Sequence, residues 1–317
     1  MYENVVRVER NTDQVFTIVE WTLGNKCTYA CSYCPSELHN GSAGWHDHEQ
    51  LTAFLDACYD HYTGKLGREV LVQYTGGEPT VYPKFKELVR YASERGIRQS
   101  IISNGSRTPR FWSEVAPMFE KVHLSYHHEF ADPAKFVDVA EEICKHTDVH
   151  VNVLMLPNQF DEIITMCQEL RTRCPTATIL LKPLQKDFGS ELYDYTDYEK
   201  RILDTMHSFH TDTGPRKKNY PSGHLNVEYA DGRKEGTTPS ALMLAGVNQW
   251  KGWQCNIGIE TLNVDMYGNI RGGLCRVGGS YGNIGGDYKL PEAASVCTKN
   301  WCTCHLDIMV SKSVKSL

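Results

Sequence analysis

Short apolar runs alternate with helix-period segments six times between residues 16 and 184. The apolar runs are rich in Val, Ile and Leu and nearly continuous in apolar character, as expected of parallel strands buried on both faces. Six such repeats predict an α/β fold with a parallel sheet and right-handed crossovers. The predicted strands are Phe16–Leu23, Val70–Tyr74, Ile97–Ser103, Lys121–Tyr126, Val149–Leu156 and Thr178–Leu181, and the predicted helices are Glu49–His61, Pro83–Arg95, Arg110–Pro117, Pro133–His146 and Phe160–Arg171.

Two architectures fit this alternation, a doubly wound sheet and an incomplete barrel. The polar motifs described below each follow the carboxyl end of a predicted strand, which is where barrel active sites are built. We therefore expect a partial (β/α)6 TIM-like barrel over residues 1–189. Beyond it the periodicity fades, except for a predicted helix at Tyr198–Ser208 and a predicted hairpin at Gly258–Leu274. These features predict a small cysteine-rich domain over residues 190–317.

The charge and the hydropathy pattern argue against several classes of protein. The net charge is −6 and the longest basic run is Arg216–Lys218, so no nucleic-acid partner is expected. The amino terminus lacks the apolar segment of a signal peptide, and no apolar run approaches the length of a membrane span. The sequence therefore predicts a cytoplasmic protein with no membrane partner. In that reducing compartment, clustered cysteines bind metal or do chemistry more often than they form disulfides.

The twelve cysteines are unevenly distributed along the chain. Cys27, Cys31 and Cys34 form a C-x3-C-x2-C run in the loop predicted after the first strand. Iron–sulfur clusters usually take four thiolate ligands, so three close cysteines leave one metal position open, as in a catalytic site. On this run alone the alternatives are a zinc site completed by His39 or His46, and three unrelated cysteines.

Further polar residues follow the next three predicted strands. The sequence Gly76–Pro79 ends the second strand; its glycines let the backbone approach a ligand closely, and Glu78 offers an acceptor for an ammonium group. The tripeptide Ser103–Gly105 follows the third strand, and Ser125 ends the fourth. Each of these, taken alone, is also an ordinary turn or strand end.

Taken together over residues 16–184, these motifs resemble the radical S-adenosylmethionine superfamily, including the aromatic Tyr33 before the third cysteine. The resemblance implies a 4Fe–4S cluster on the three cysteines, with S-adenosylmethionine bound beside it. It also implies reductive cleavage of S-adenosylmethionine to a 5′-deoxyadenosyl radical that abstracts hydrogen from a substrate. The residues that the resemblance assigns to cofactor binding are Tyr33, Gly76, Gly77, Glu78, Pro79, Ser103, Asn104 and Ser125.

Five more cysteines lie within the last 63 residues. Their placement around the predicted hairpin resembles the twitch, or shortened SPASM, extension of the same superfamily, which implies an auxiliary 4Fe–4S cluster. The terminal group departs from the commoner C-x2-C pair, being C-x4-C-x-C. A structural zinc knuckle that includes His305 is the alternative. The expected cluster ligands are Cys255, Cys275, Cys302 and Cys304, with Cys297 as a substitute for any of them.

The reaction that follows hydrogen abstraction is not specified by these motifs. The first predicted strand begins at residue 16, which leaves no room before it for a peptide-binding winged helix and favours a sugar, nucleoside or other metabolite as substrate. Dehydrogenation, epimerisation and rearrangement are the expected reaction types, with a flavodoxin or ferredoxin as reductant. A peptide maturase and a non-catalytic zinc or iron–sulfur module are the alternatives. The candidate catalytic residues are His127, His128 and Lys182, with Glu129 and Asn152 as further substrate contacts.

Overall fold

The structure is a computed structural model that describes residues 3–11, 15–186, 191–206 and 223–314. The end of the predicted helix, residues 207–208, and the basic run Arg216–Lys218 lie outside these ranges. No helix within them is both long and apolar enough to cross a membrane. The strands are β1 (Val5–Arg10), β2 (Phe16–Thr22), β3 (Glu69–Thr75), β4 (Arg98–Ser103), β5 (Lys121–Tyr126), β6 (Asp148–Met155), β7 (Thr178–Pro183), β8 (Leu225–Tyr229), β9 (Lys234–Thr237), β10 (Gln254–Cys255), β11 (Thr261–Val264), β12 (Asn269–Arg271), β13 (Ser280–Asn283), β14 (Ser295–Val296) and β15 (Lys312–Ser313).

Eight α-helices accompany these strands in the described part of the chain. Each helix predicted between two barrel strands is present, and α1 continues into a π-helical segment, Tyr59–Lys65. Short 3₁₀ turns are formed by residues 36–38, 79–81 and 116–118. The α-helices are α1 (His48–Cys58), α2 (Phe85–Glu94), α3 (Pro109–Val115), α4 (Pro133–Cys144), α5 (Phe160–Arg173), α6 (Asp197–Met206), α7 (Pro239–Leu244) and α8 (His305–Ile308).

The six predicted strands are consecutive neighbours in a nine-stranded sheet and run parallel in chain order from β2 to β7. The strand order is β13-β12-β11-β2-β3-β4-β5-β6-β7, so among the described strands β7 and β13 are the edges and the barrel is open. The expected α/β fold with a partial barrel is therefore confirmed. All the loops that follow β2 to β5 meet at one mouth of this barrel, because the strands are parallel.

Alternate residues of each barrel strand point to opposite faces, as strand geometry requires. In β2, Val19 and Trp21 are buried against the helical layer, where the Trp21 ring meets Phe54 of α1 edge-on. Glu20 lies between them on the opposite face and accepts a hydrogen bond from Asn263 Nδ2 (3.2 Å). The barrel interior therefore carries polar side chains, whereas the helical face carries the apolar core.

The carboxyl-terminal part of the chain joins the barrel through strand pairing. Strand β11 pairs parallel with β2 and forms the predicted hairpin with β12, which the turn at Asp265 closes. A second sheet has the order β14-β10-β15-β1-β8-β9, so β1 from the start of the chain lies among strands of the carboxyl-terminal half. The division near residue 190 stays a prediction, with β1 and β11 as the strands that connect its two parts.

Candidate active site at the barrel mouth

The loop after β2 carries the first three cysteines, and they line one cavity of about 210 Å³ at the barrel mouth. The cavity also collects residues from the loops after β3, β4 and β5, as the parallel arrangement of those strands requires. Its lining residues are Cys27, Tyr29, Cys31, Cys34, Leu38, His39, Gly76, Gly77, Ile102, Ser103, Asn104, Ser125 and His127.

Asn104, after β4, attaches the cysteine loop to its own strand end. Its Nδ2 donates to Thr28 Oγ1 (2.9 Å) and lies 3.5 Å from the Cys27 sulfur. The Tyr29 backbone N–H points at the same sulfur (3.4 Å). Two N–H donors therefore surround the Cys27 Sγ, and such donors stabilise the thiolate form that ligates metal.

The loop after β5 holds the cysteine loop from the other side. The Glu129 carboxylate accepts from the Ser32 backbone N–H (2.7 Å) and from the Ser32 hydroxyl. The Tyr33 hydroxyl and His127 Nδ1 share a hydrogen bond of 2.9 Å, and the two rings are stacked. Burial lowers the pKa of His127 to about 4, so this ring is neutral at neutral pH. Glu129 is thus a contact of the cysteine loop.

His128, the second candidate of the adjacent pair, is directed away from the cavity. Its Nδ1 shares a hydrogen bond with the Tyr126 hydroxyl (3.2 Å), and its Nε2 lies 3.3 Å from a Glu162 carboxylate oxygen of α5. Of the pair, only His127 lines the cavity.

The glycines of the turn after β3 allow two stretches of backbone to touch. The Gly77 N–H donates to the Gly24 carbonyl (3.0 Å), and the Glu78 N–H donates to the Lys26 carbonyl (2.9 Å). A Cβ atom on Gly77 would lie 2.5 Å from the Lys26 carbonyl oxygen. Gly76 adopts a φ of 142°, which side chains rarely permit. These glycines therefore position the residue that precedes Cys27.

Glu78 does not line the cavity, although sequence reasoning expected it to face a ligand. It is 1% exposed, and its Oε1 accepts from the Thr80 N–H (3.1 Å), the Thr80 hydroxyl (2.7 Å) and the Ser103 hydroxyl (2.9 Å). Its Oε2 accepts from the Asn104 N–H (2.7 Å). The next residue, Pro79, begins the 3₁₀ turn. The carboxylate therefore joins the turn after β3 to the loop after β4.

We expect Glu78→Ala to lower the free energy of unfolding by roughly 2–4 kcal/mol, because the buried N–H groups of Thr80 and Asn104 lose their acceptor. Urea denaturation followed by circular dichroism measures this change. Glu78→Gln is the matched control: it keeps one acceptor oxygen and should lose less stability than Glu78→Ala. A Glu78→Ala variant as stable as the native chain would contradict this positioning role.

The second cysteine group lies where β10, β14 and α8 meet. Cys255 is in β10, Cys297 follows β14, and Cys304 precedes α8. Burial raises the pKa of Cys275 and of Cys302 to about 12 each. These thiols are therefore protonated in the absence of a ligand, and binding of metal would displace the protons.

The zinc alternatives would add a histidine to either cysteine group. In the described parts of the chain, no three side chains of His, Cys, Asp or Glu lie close enough together to hold a metal ion. Of the two histidines considered for zinc, His39 lines the cavity, whereas His46 lies against Gly268 of the β11–β12 turn.

Polar groups also lie on the interior faces of β5, β6 and β7. His123 and His150 are direct neighbours across β5 and β6, with ring centroids 5.5 Å apart. His150 Nε2 lies 3.2 Å from Asn152 Oδ1. Lys182, on β7, is exposed. The sequence analysis identified Asn152 and Lys182 but missed both histidines. The two-residue period of a strand could have revealed them, because His123 lies two positions before Ser125 and His150 two positions before Asn152.

Comparison with known proteins adds family information to this geometry. The family model of the Radical SAM superfamily matches residues 21–170. A protein of Psychrobacter lutiphocae named S-adenosylmethionine-dependent nucleotide dehydratase is 31% identical over 195 residues, which are 59% of this chain and 61% of the relative. A protein of Methanosarcina barkeri named Fe-coproporphyrin III synthase is 30% identical over 109 residues, which are 34% of this chain and 25% of the relative. These matches therefore span less than two thirds of either relative.

Among solved structures, SuiB of Streptococcus suis superposes with a TM-score of 0.52 at 13% sequence identity, over 83% of this chain and 61% of SuiB. SuiB has also been solved bound to its precursor peptide SuiA, and that structure superposes with a TM-score of 0.50. At this level of identity the likeness shows a shared fold only.

Proposed function

The chain belongs to the radical SAM superfamily, and from this premise we propose that it is an enzyme that cleaves S-adenosylmethionine reductively at the barrel mouth. Cys27, Cys31 and Cys34 would hold a 4Fe–4S cluster, and the rest of the cavity would hold S-adenosylmethionine. When bound, the two groups supply a 5′-deoxyadenosyl radical that takes a hydrogen atom from the substrate. The observation that carries this proposal is the single cavity that joins the three cysteines to the ends of β3, β4 and β5.

Three cysteines beside an open cavity suit such a cluster. The three thiols all line this cavity. Three thiolates also leave one iron of a four-iron cluster without a protein ligand. The N–H donors of Tyr29 and Asn104 around the Cys27 sulfur suit a thiolate of such a cluster, since hydrogen bonds to sulfur tune its potential.

The other cavity residues would orient the organic cofactor. Ser125 and the backbone at Gly76 and Gly77 supply polar groups without bulk, as close approach to a ligand requires. The neutral His127 fixes the Tyr33 hydroxyl and so orients that aromatic ring beside the cavity. Leu38 and Ile102 add apolar surface to the cavity lining, and apolar lining helps to exclude water from a radical.

Anaerobic reconstitution tests the proposal directly. We expect about eight irons per chain, four for each of two clusters, and formation of 5′-deoxyadenosine after reduction with dithionite. One zinc per chain and no cleavage would instead identify a non-catalytic metal-binding module and would overturn the proposal. A flavodoxin or ferredoxin would supply the electron in the cell.

We also propose that the carboxyl-terminal cysteines hold an auxiliary 4Fe–4S cluster. Cys255, Cys275 and Cys297 pack together in one apolar cluster, and Cys302 belongs to a second apolar cluster. Removal of this cluster should leave cleavage of S-adenosylmethionine at the first site, since the lining of the cavity at the barrel mouth includes none of the five carboxyl-terminal cysteines. Loss of all cleavage would mean that the second cluster is needed for folding.

For the substrate we propose a small molecule that carries a phosphate or carboxylate. Burial lowers the pKa of His123, and the positive charges of Lys121, His150 and Lys182 lower it further, so several cationic groups share this part of the barrel. Within the described residues, Lys182 makes no ion pair with a carboxylate. An anionic group of the substrate would satisfy its charge. A phosphate-bearing substrate also agrees with the nucleotide dehydratase named among the relatives.

We expect Lys182→Met to raise the concentration of such a substrate that is needed to stimulate 5′-deoxyadenosine formation. The expected increase is roughly 10–100-fold, which corresponds to the free energy of one charge-assisted hydrogen bond. The measurement is the concentration of a nucleoside triphosphate, used as probe, that stimulates 5′-deoxyadenosine formation. Lys182→Arg keeps the charge and should retain part of the response, and cleavage without the probe should not change. Stimulation by a peptide and by no nucleotide would contradict the small-molecule proposal and favour a peptide maturase.

A further inference from the structure

We propose that Cys144 and Cys174 form a redox modification site, in which hydrogen peroxide joins the two thiols in a disulfide between the ends of α4 and α5. Neither residue belongs to the cysteine loop at the barrel mouth or to the carboxyl-terminal cysteine group. The site therefore lies outside both of the proposed cluster sites, and its chemistry needs neither of them.

The last two turns of α4 present one face to the end of α5. Asp138, Glu141 and Cys144 are spaced three residues apart, so they lie on the same side of α4. The guanidinium of Arg173, the last residue of α5, binds the first two of them: its Nη2 donates to Asp138 Oδ1 (2.7 Å) and to the Glu141 carboxylate. Cys174 is the next residue in the chain, so these ion pairs hold it beside Cys144.

The two thiols face one another. The Cys174 S–H donates a hydrogen bond to the Cys144 sulfur. The Cys174 backbone is held in place as well, because its N–H donates to the Leu170 carbonyl (2.7 Å). A disulfide forms without movement of the backbone only when the two side chains point towards each other. Thiols that share a hydrogen bond already do so.

The two thiols differ in their access to solvent. Cys174 is 1% exposed, whereas Cys144 is partly exposed at the end of α4. The hydrogen bond with Cys144, together with burial, raises the pKa of Cys174, so this thiol keeps its proton. That S–H donor favours a thiolate at Cys144 and offsets the unfavourable effect of the helix C-terminus on a negative charge. Cys144 is therefore the thiol that meets the oxidant, and Cys174 is the resolving thiol.

The oxidation takes two steps. The Cys144 thiolate attacks one oxygen of hydrogen peroxide, the O–O bond breaks, and a sulfenic acid and hydroxide are formed. The Cys174 sulfur then attacks the sulfenic sulfur, the S–O bond breaks, and the departing oxygen leaves as water with the Cys174 proton. In sum, two thiols and hydrogen peroxide give a disulfide and two molecules of water. A dithiol reductant reverses the modification by thiol–disulfide exchange.

The bond would close a loop of the chain that contains β6 and α5. Closure of a loop restricts the unfolded chain, so the oxidised protein should unfold at a temperature a few degrees higher than the reduced protein. Helices α4 and α5 begin at the barrel mouth, because they follow the carboxyl ends of β5 and β6, and they end at the opposite end of the barrel. Removal of either thiol should therefore leave cleavage of S-adenosylmethionine unchanged.

Peptide mapping tests the site. The full chain, reconstituted anaerobically, is treated with an equimolar amount of hydrogen peroxide, alkylated under denaturing conditions and digested with trypsin. Cys144 and Cys174 fall in separate tryptic peptides, residues 136–145 and 174–186, each of which contains a single cysteine. Mass spectrometry should detect these two peptides linked, with the loss of two hydrogen atoms, and dithiothreitol should separate them.

Single variants test the role of each thiol. In Cys174→Ser the sulfenic acid at Cys144 has no resolving thiol, so dimedone should trap it there. In Cys144→Ser the buried Cys174 should stay reduced and open to alkylation after denaturation. Cys167 is the internal control, because it is also buried in α5, at 6% exposure, and should stay reduced in every variant.

Two results would overturn the proposal. One is that Cys144 and Cys174 are both recovered as separate alkylated peptides after peroxide treatment. The other is that the linked peptides form but the oxidised chain unfolds at the same temperature as oxidised Cys174→Ser, so that the bond does not restrain the barrel. Linked peptides in a chain that binds no iron would support this proposal even though the proposed function had failed.

Discussion

Replacement of Cys27, Cys31 and Cys34 together by alanine is expected to abolish formation of 5′-deoxyadenosine and to lower the iron content from about eight to about four per chain. The reason is that these three thiols line the cavity at the barrel mouth. The fold should survive, because the loop is also anchored by Asn104 and Glu129 through groups other than the thiols. Iron analysis, chromatography of the nucleoside product and circular dichroism measure the three effects.

Cys167→Ala provides the matched control for this triple variant. Cys167 is a buried residue of α5 in the apolar core and belongs to neither cysteine group. Its replacement removes a thiol from the apolar core and should leave both the iron content and cleavage as they are. If the triple variant kept about eight irons, the cluster assignment at the barrel mouth would be wrong, whatever happened to cleavage.

The collection of distant residues at one cavity could be predicted from the sequence. Cys27, Gly76 and Asn104 each follow a strand of a predicted parallel sheet, and Ser125 lies at the end of another. The carboxyl ends of such strands lie at one mouth. This inference needs only the strand pattern and the chain direction. Local periodicity supplies both, because a strand buried on its two faces has a continuous apolar sequence.

The role of Glu78 could not be predicted in the same way. The sequence identified an acidic residue in a turn, and a carboxylate is an acceptor for any donor within reach. Its actual donors include the Asn104 N–H and the Ser103 hydroxyl, which belong to the end of a different strand. Which donors lie within hydrogen-bond distance of the Glu78 carboxylate depends on how the side chains of β3 and β4 pack together. No local sequence pattern specifies that packing.

The pairing of β1 with β15 could not be predicted from the sequence pattern either. Val8 of β1 pairs with Lys312 of β15, a strand of only two residues. A two-residue strand has no periodicity to detect. The buried lysine therefore looked like an ordinary charge near the carboxyl terminus, and its position opposite Cys255 became evident only from the folded chain.

Among the variants proposed here, Gly77→Ala is expected to have the second largest effect on cleavage of S-adenosylmethionine. The added Cβ would lie 2.5 Å from the Lys26 carbonyl oxygen and 2.6 Å from its carbon, both backbone atoms next to Cys27. Relief of that overlap requires movement of the turn or of the cysteine loop, and overpacking of this kind costs about 1–3 kcal/mol. We expect a loss of stability of that size and a fall in cleavage of S-adenosylmethionine by about 100-fold, since a misplacement of about 1 Å can have that effect.

The loop that carries Lys26 has little freedom to move away from the new methyl group. The neighbouring Asn25 is 2% exposed, and its Nδ2 donates to the Glu37 carbonyl (2.7 Å) and to Asn40 Oδ1 (2.9 Å). The strain should therefore change the distance between the turn after β3 and Cys27. Cofactor binding should be most sensitive to that distance.

Gly64→Ala is the matched control for the methyl group itself. No atom lies within 4 Å of a Cβ added at Gly64, which is in the π-helical segment after α1. This variant should be neutral or slightly more stable, by about 0.5–1 kcal/mol, because alanine favours helix more than glycine does. Thermal unfolding and 5′-deoxyadenosine formation compare the two variants. Full activity in Gly77→Ala would show that the turn and the cysteine loop can separate, and the positioning role of the glycines would have to be abandoned.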